Sequence, residues 1–436
     1  MTSHTPSLRC LLVALAVCGL AATKAVRGQE PEAKYSAWSK VENARETSEL
    51  RQQLRDGGPF DAKARDFVVQ VVLPQLGMEA NRPTIERVRR RIRDLLLADI
   101  ADEKAFGDAA KTVVDAMAAV AQNRDVDSVV RVNAMLLVGD LRSKEGRPLP
   151  MALAMLATVA ADVRLPLEVR IAAAAGMARH AEAAKASGQV AEVAKAVAPA
   201  IGPMLSAPPS VAGDWLAGRA LAIVQTLGRQ TATKDALAAA ARILGDGTRS
   251  VDLRVRAAAA LGAAAAADSG VDVGRAVDSI PGVALAGLQA DAAAADSLRA
   301  ERGLPVAGGS VAGLAPVGGD AEPAVPQLVC RRNAWRLWTC AEALLSEDGT
   351  TGLGPLLGGD AAAAAGKTAA TLRQAAAMLD THPDEQSLLE AIELLSGKEA
   401  AAAGANPAPA VRPKERPGTD APARGDSPFD ATPFGP

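Results

Sequence analysis

Aromatic residues are almost missing from this 436-residue chain: phenylalanine, tryptophan and tyrosine make up 2% of it, although hydrophobic residues make up 49%. Most of the apolar content is therefore alanine and aliphatic. Alanine is the strongest helix former, but its single methyl contributes only about 0.8 kcal/mol of transfer free energy. Such a chain forms helices readily and builds a deep core poorly. This composition favours many thin helical layers, each of which buries a modest face against the next.

The chain has no excess of charge of either sign: its net charge is −2 at neutral pH, and its isoelectric point is near 6.1. Proteins that bind nucleic acid usually carry a basic surface, so we predict no nucleic-acid partner. One local basic cluster is present, RVRRRIRD from Arg87 to Asp94. We interpret it as the solvated face of a helix, and a patch for phosphate or anionic lipid is the alternative.

Histidine is also scarce: there are three in the chain, and only His180 and His382 follow the N-terminal segment. A zinc site needs three or four ligands close together, and no HExxH or paired CxxC motif is present. The stretch AAAAAGKTAA at 361–370 ends like a phosphate-binding loop, but Ala361 replaces a glycine that such a loop needs. We therefore predict no metal, no cofactor and no enzymatic activity. His180 is expected near a helix end, where a cation suits the helix dipole.

Residues 1–28 predict a secretory signal peptide, with one positive charge ahead of the apolar stretch CLLVALAVCGLAA. Cleavage after Ala25 or Gly28 would export the chain to the periplasm or out of the cell. Membrane attachment would require a lipid on Cys18. The sequence does not favour this lipid attachment, because Val17 stands where a lipoprotein signal has a small residue.

Two of the four cysteines, Cys330 and Cys340, would remain after such cleavage. If they lie on one helix, ten residues place the thiols roughly 15 Å apart along the axis, beyond the reach of a disulfide. We expect two buried, small apolar side chains. A helix that begins after Cys330 would still permit a disulfide, which is the alternative.

Strand signals are missing, whereas helical periodicity runs from about residue 36 to 398. Turns marked by glycine, proline and aspartate divide the helical region. The predicted organisation after the signal peptide is N-terminal helices at 36–100, a repeat array at 101–300, a Gly/Ala/Pro-rich insertion at 301–326, C-terminal helices at 327–398 and a disordered tail at 402–436.

The repeat array is marked by one recurring frame: an aliphatic residue, an arginine, an aliphatic residue, any residue and an alanine. It occurs around Arg131, Arg170 and Arg254, each inside the second helix of a predicted helix pair. The arginines are 39 residues apart and then 84 apart, which is two steps of 42. A period near 40 built from two helices is the sequence signature of an α-solenoid.

Over residues 105–265 the chain resembles the HEAT-repeat family. The matching residues are Asp127 and Asp252, Arg131 and Arg254, Ala134 and Ala257, and the closing pairs Val138-Gly139 and Leu261-Gly262. The unit at Arg170 departs from this pattern because it has Glu168 and no closing glycine. The resemblance implies an all-α fold, a right-handed α-solenoid of stacked antiparallel helix pairs. It also implies that each arginine stem lies along a neighbouring helix while its guanidinium reaches an acidic or carbonyl group of the adjacent turn.

Because solenoids present a long surface to other molecules, we predict an exported, non-catalytic scaffold that binds a protein partner of unknown identity. Trp335 and Trp338, three residues apart on one helix face, are expected in the core and would be an interaction site if exposed. One alternative is an accessory protein similar to helical-repeat lyases, which assists an enzyme or the attachment of a cofactor. Another is an envelope protein anchored by lipid at Cys18.

Overall fold

The computed structural model describes residues 42–97, 100–301 and 327–397. The predicted signal peptide, the predicted insertion from residue 302 onward and the predicted tail lie outside these ranges. Within the described ranges the regular structure is entirely helical, which confirms the all-α fold class. None of the helices in this part of the chain is both long and apolar enough to cross a lipid bilayer.

The described residues form two compact units, which divide between Ala240 and Ala241. The division falls inside helix α10, Lys234–Gly245, within the region that the sequence predicts as a single repeat array. The helices of the first unit are α1 Glu42–Arg55, α2 Ala62–Phe67, α3 Ile85–Leu97, α4 Glu103–Gln122, α5 Ser128–Asp140, α6 Pro150–Ala161, α7 Leu167–Ser187, α8 Val190–Leu205 and α9 Val211–Leu227. Those of the second unit, after α10, are α11 Val251–Ala264, α12 Val273–Glu301, α13 Gln327–Leu344, α14 Gly359–Thr381 and α15 Glu385–Leu395.

The first unit has the layered packing of a helical repeat. Successive helices pair as α4 with α5, α6 with α7 and α8 with α9. The first members of these pairs, α4, α6 and α8, also contact each other in sequence, and so do the second members, α5, α7 and α9. Two parallel series of contacts therefore run through the unit, as in an α-solenoid.

Short polar side chains start many of these helices. The side chains of Asp102, Asp127 and Ser210 each accept a hydrogen bond from a backbone N–H two or three residues ahead, at the start of α4, α5 and α9. These bonds satisfy amide groups that have no partner inside the helix. At the C-terminal end of α7, Gly188 adopts a left-handed conformation, with φ of 73°, which residues with a side chain rarely adopt.

The region before α4 is less regular than its sequence pattern predicts. A continuous helix is expected over 61–76, but α2 ends at Phe67 and continues as a π-turn and a 3-10 helix around Pro74. Proline has no N–H to donate and its ring clashes with the preceding turn, which explains the break. Pro83 lies in another 3-10 helix, Glu79–Thr84, and not in the first turn of α3.

Small residues allow the second helices of neighbouring pairs to approach closely. A Cβ atom added to Gly139 of α5 would lie 2.6 Å from the Cα atom of Gly176 of α7. In the second unit, a Cβ atom added to Gly262 of α11 would lie 2.6 Å from the Cα atom of Ala343 of α13. The glycine that closes a repeat is thus a packing residue, which lets two backbones meet where any side chain would separate them.

Helices of the second unit also pack in order along the chain. Helix α11 contacts α12 and α13, α13 contacts α14, and α14 contacts α15. Helix α12 additionally contacts α13 and α15. The long α12 contains Pro281 and is a single helix of 29 residues.

Candidate functional site

The three arginines of the recurring frame make the same hydrogen bond. Nε of each donates to the main-chain carbonyl ten residues earlier: Arg131 to Ala121 at 2.9 Å, Arg170 to Ala160 at 3.0 Å and Arg254 to Leu244 at 2.9 Å. Each accepting residue is the penultimate residue of the preceding helix. Carbonyls in that position have no partner in their own helix and carry the negative end of the helix dipole. The arginine of the second helix thus caps the first helix of the same pair.

These arginines are structural groups inside the helix pairs. Arg131 and Arg170 are only 5% and 4% exposed, and Arg254 is half-buried. Burial lowers the pKa of the Arg131 and Arg170 guanidinium groups below its usual value. Of the two acceptors that the resemblance allows, an acidic group or a carbonyl, all three Nε atoms use the carbonyl.

The two aspartates that match the HEAT-repeat pattern, Asp127 and Asp252, have different roles. Asp127 caps α5, with its side chain accepting from the Val129 N–H at 2.7 Å. Asp252 lies in the first turn of α11 and accepts from Nε of Arg336 on α13 at 2.6 Å. One aspartate therefore orders its own helix, and the other joins two helices of the second unit.

Arg336 belongs to a buried ionic cluster that the sequence did not reveal. Its Nη1 donates to Asp291 of α12 at 2.9 Å and to the side chain of Asn333 at 2.9 Å. Asp291 also accepts from Arg332 and from Asn333. Asp291 lies in the alanine-rich α12 and belongs to no sequence motif. Only the packing of α12 against α13 therefore identifies it as a partner of two arginines.

The two tryptophans of α13 are half-buried and each lies beneath an arginine. The guanidinium carbon of Arg256 is 5.3 Å from the centre of the Trp335 ring, and that of Arg373 is 5.7 Å from the Trp338 ring. Both distances are in the range of a cation–π interaction. The indoles thus contact cations of neighbouring helices in the second unit and do not form an open aromatic patch.

Cys330 and Cys340, the two cysteines of the described residues, are free and buried, as their spacing on one helix predicts. The disulfide alternative is wrong, because α13 begins before Cys330 and holds both residues in one helix. Burial raises the pKa of the Cys330 thiol, and it raises that of Cys340 to about 12. A thiol with a high pKa is a poor nucleophile and a poor metal ligand.

The expected position of His180 near a helix end is wrong, because α7 continues for two further turns to Ser187. His180 is completely buried, and its Nε2 lies 3.0 Å from Nη1 of Arg142. Since a guanidinium can only donate, Nε2 accepts and the ring is neutral. Burial, together with the charges of Arg142 and Arg179, lowers the pKa of His180 to about 3.

His180 makes the stability of the first unit depend on pH. The folded pKa of about 3 lies below the usual histidine pKa of 6.5, so the unfolded chain binds a proton between these values and the folded chain does not. The free energy of unfolding should therefore fall as the pH drops below 6.5, by about 2 kcal/mol between pH 7 and pH 5. Urea unfolding at several pH values, followed by circular dichroism, measures this loss.

The variant His180→Gln provides the comparison for that pH dependence. Glutamine can still accept from Arg142 but does not titrate, so the loss between pH 7 and pH 5 should shrink by about 2 kcal/mol. Replacing the exposed His382 by glutamine is the matched control and should keep the wild-type slope. An unchanged slope in His180→Gln would show that the buried imidazole is not the group responsible.

The basic cluster of the sequence forms one wall of a groove. Helix α3 supplies Arg87, Arg90 and Arg91, and helix α1 supplies Arg51 and Arg55 on the other wall. The groove has a volume of about 680 Å³ and is also lined by Thr47, Ser48, Gln52 and Asp94. The sequence shows the run of charge on α3, which we interpret as a solvated helix face, but the two arginines of α1 are brought beside it only by the fold.

No family model matches this chain, and no curated protein matches it. Across the residues that the structure describes, no group of three or more histidine, cysteine, aspartate or glutamate side chains is placed to hold a metal ion.

Proposed function

We propose that this chain is an exported, non-catalytic scaffold of HEAT-repeat type that binds a protein partner through its helical surface. The observation that carries this proposal is the arginine-to-carbonyl bond, which recurs with the same ten-residue spacing in three helix pairs. A bond that is repeated in this way belongs to a repeating architecture. Repeat architectures act by presenting an extended surface, over which many small contacts add up to useful affinity.

The buried polar groups support the same proposal. The three arginines of the recurring frame cap helices, and the Arg336 cluster joins α11, α12 and α13. The two thiols of α13 are buried. Each of these groups is used by the packing of the protein itself. We therefore assign the binding of a partner to the exposed surface of the protein.

A capture experiment with the full chain tests this function. The purified protein, expressed in its native host with an affinity tag, is used to isolate partners from the envelope fraction, and each candidate is then purified alone. We expect one partner to bind saturably in isothermal titration calorimetry, and its intact mass and bound groups to be unchanged after incubation.

Two results would contradict the proposal. One is a covalent change in the partner, or the gain or loss of a cofactor, which would indicate an accessory or lyase-like activity. The other is the absence of any partner that binds again after purification.

A further inference from the structure

The connection between α5 and α6, residues 141–149, is a short hairpin that joins two consecutive helix pairs. Its ends are buried, with Leu141 and Leu149 only 1% and 8% exposed, whereas its middle is open to solvent. The Ser143 N–H donates to the Arg147 carbonyl at 3.0 Å and closes the hairpin on itself. Opening this connection would therefore break little of the helix packing around it.

Arg142 ties the connection to α7. Its Nη1 lies 3.0 Å from Nε2 of His180 and also donates to the Gly139 carbonyl at 2.9 Å, near the C-terminal end of α5. A second tie, from Nζ of Lys144 to the Ala101 carbonyl, is exposed to solvent. The contact between Arg142 and His180 is thus the one that reaches the interior.

This contact requires a neutral imidazole. A guanidinium only donates hydrogen bonds, so Nε2 of His180 must keep a lone pair to accept one. Protonation of Nε2 would turn the acceptor into a donor and would place two cations 3.0 Å apart. Because His180 is fully buried, water cannot screen that repulsion while the connection stays closed.

The surroundings of His180 oppose its protonation. Two cations act on the ring, Arg142 from the connection and Arg179 from α7 itself. Helix α5 contributes Asp140, whose carboxylate is already paired with Arg179 at 3.2 Å and with Arg89 of α3 at 3.4 Å. Helix α6 contains no charged residue, and the charged residues of α8 and α9 do not act on the ring. Burial and the two arginines lower the pKa of His180 more than a backbone carbonyl of α5 raises it. The other charged side chains of the connection are exposed to solvent: Lys144, Glu145 and Arg147.

Helices α5 and α7 are held together by contacts that do not involve the connection. A Cβ atom added to Gly139 would lie 2.6 Å from the Cα atom of Gly176, so the two backbones are in close contact there. Arg179 pairs with Asp140 at 3.2 Å and donates to the Leu136 carbonyl at 3.4 Å. The two helices can therefore stay packed while the connection moves away.

We propose that the α5–α6 connection is an acid-released latch: a proton from solvent binds His180, displaces Arg142 and opens residues 141–149, while α5 and α7 stay packed. In the open form the imidazole is hydrated and binds the proton readily, so acid stabilises this form relative to the closed one. Opening exposes Leu141 and Leu149 and loosens the join between two helix pairs. This inference does not rest on the proposed scaffold function, because the latch needs no partner.

Hydrogen exchange of the full chain, followed by mass spectrometry of its peptides, measures how often the connection opens. Peptides covering 141–149 are compared with peptides from α5 and α7 at pH 7 and pH 5, and each rate is divided by the intrinsic exchange rate at that pH. The pKa of His180 is about 3 in the closed form and 6.5 for a free ring, so the opening constant should rise about 25-fold between pH 7 and pH 5. A local opening exposes little surface, so exchange of 141–149 should respond only weakly to low concentrations of urea.

Three variants assign the effect to the latch. His180→Gln keeps an acceptor for Arg142 but cannot bind a proton, so its opening constant should change less than about twofold between the two pH values. Arg142→Gln removes the guanidinium and should raise the opening constant at pH 7 by about tenfold. Arg147→Gln makes the same substitution at an exposed position of the same connection and should behave as the wild type does.

Three results would overturn the proposal. One is an exchange of 141–149 with the full urea dependence of global unfolding, because the connection would then open only when the whole unit unfolds. Another is a wild type whose opening constant does not rise in acid. The third is a rise in His180→Gln equal to that of the wild type. If His180→Gln does not fold, the pH and urea dependence of the wild type and the response of Arg142→Gln decide the question by themselves.

Discussion

Replacement of Asp291 by asparagine is expected to lower the free energy of unfolding of the second unit by about 3 kcal/mol. The Asp291 side chain is 11% exposed and that of Arg336 is 7% exposed, so the two charges meet where water is largely excluded. Although burial opposes ionisation, the hydrogen bond from Arg332 and the charges of Arg336 and Arg332 hold the pKa of Asp291 below its usual range. The carboxylate is therefore charged at neutral pH.

Asparagine keeps the size of the side chain and one acceptor but removes the charge. Arg336 would then be buried with only Asp252 as a charged partner, and an incompletely compensated buried charge is strongly destabilising. Urea unfolding followed by circular dichroism measures the loss, and hydrogen exchange of peptides from α12 and α13 assigns it to the second unit.

A neutral substitution elsewhere on the same helix is the control for Asp291→Asn. Asp278 of α12 is exposed, and Asp278→Asn should change the free energy of unfolding by less than about 0.5 kcal/mol. Equal values for the two variants would mean that the cluster around Arg336 does not stabilise the unit.

Replacement of Gly262 by alanine is expected to destabilise the second unit by about 2 kcal/mol, although alanine is the better helix former. The new Cβ atom would lie 2.6 Å from the Cα atom of Ala343 and 2.7 Å from its carbonyl oxygen. Both are backbone atoms, which cannot rotate away as a side chain can. Helices α11 and α13 would have to separate, and the contacts along their whole interface would loosen.

Gly282 of α12 provides a control of the same chemistry. A Cβ atom added there meets nothing within 4 Å. Gly282→Ala should therefore raise the free energy of unfolding by about 0.5–1 kcal/mol, since it removes only the entropic cost of a helical glycine. The two urea midpoints should move in opposite directions. A shift of the same sign in both variants would show that α11 and α13 do not depend on close contact at Gly262.

Arg131, Arg170 and Arg254 show how far a sequence pattern reaches. Their frame and spacing predict that they occupy equivalent positions, and the recurring ten-residue bond is a local consequence, since donor and acceptor lie on consecutive helices joined by a short turn. The bond of Asp252 to Arg336 spans 84 residues and could not be predicted in this way. No pattern within one helix pair specifies which later helix will pack against it.

His180 and the basic groove illustrate the same limit. The sequence places His180 close to charged residues, but its burial depends on α5 and the following turn covering that face of α7. The cluster at Arg87 to Asp94 is visible as a run of charge, whereas the contribution of Arg51 and Arg55 requires α1 to lie beside α3.

Alanine content, the absence of strand patterns and the period near forty residues are enough to specify helices, their pairing and the all-α class, because these follow from interactions between residues close in the chain. The tertiary structure decided which helices approach at Gly139 and Gly262, which carboxylate meets Arg336, and which two helices enclose the arginine groove. Those outcomes depend on how distant surfaces fit together. Such fit is a property of three-dimensional shape, and no short stretch of sequence encodes it alone.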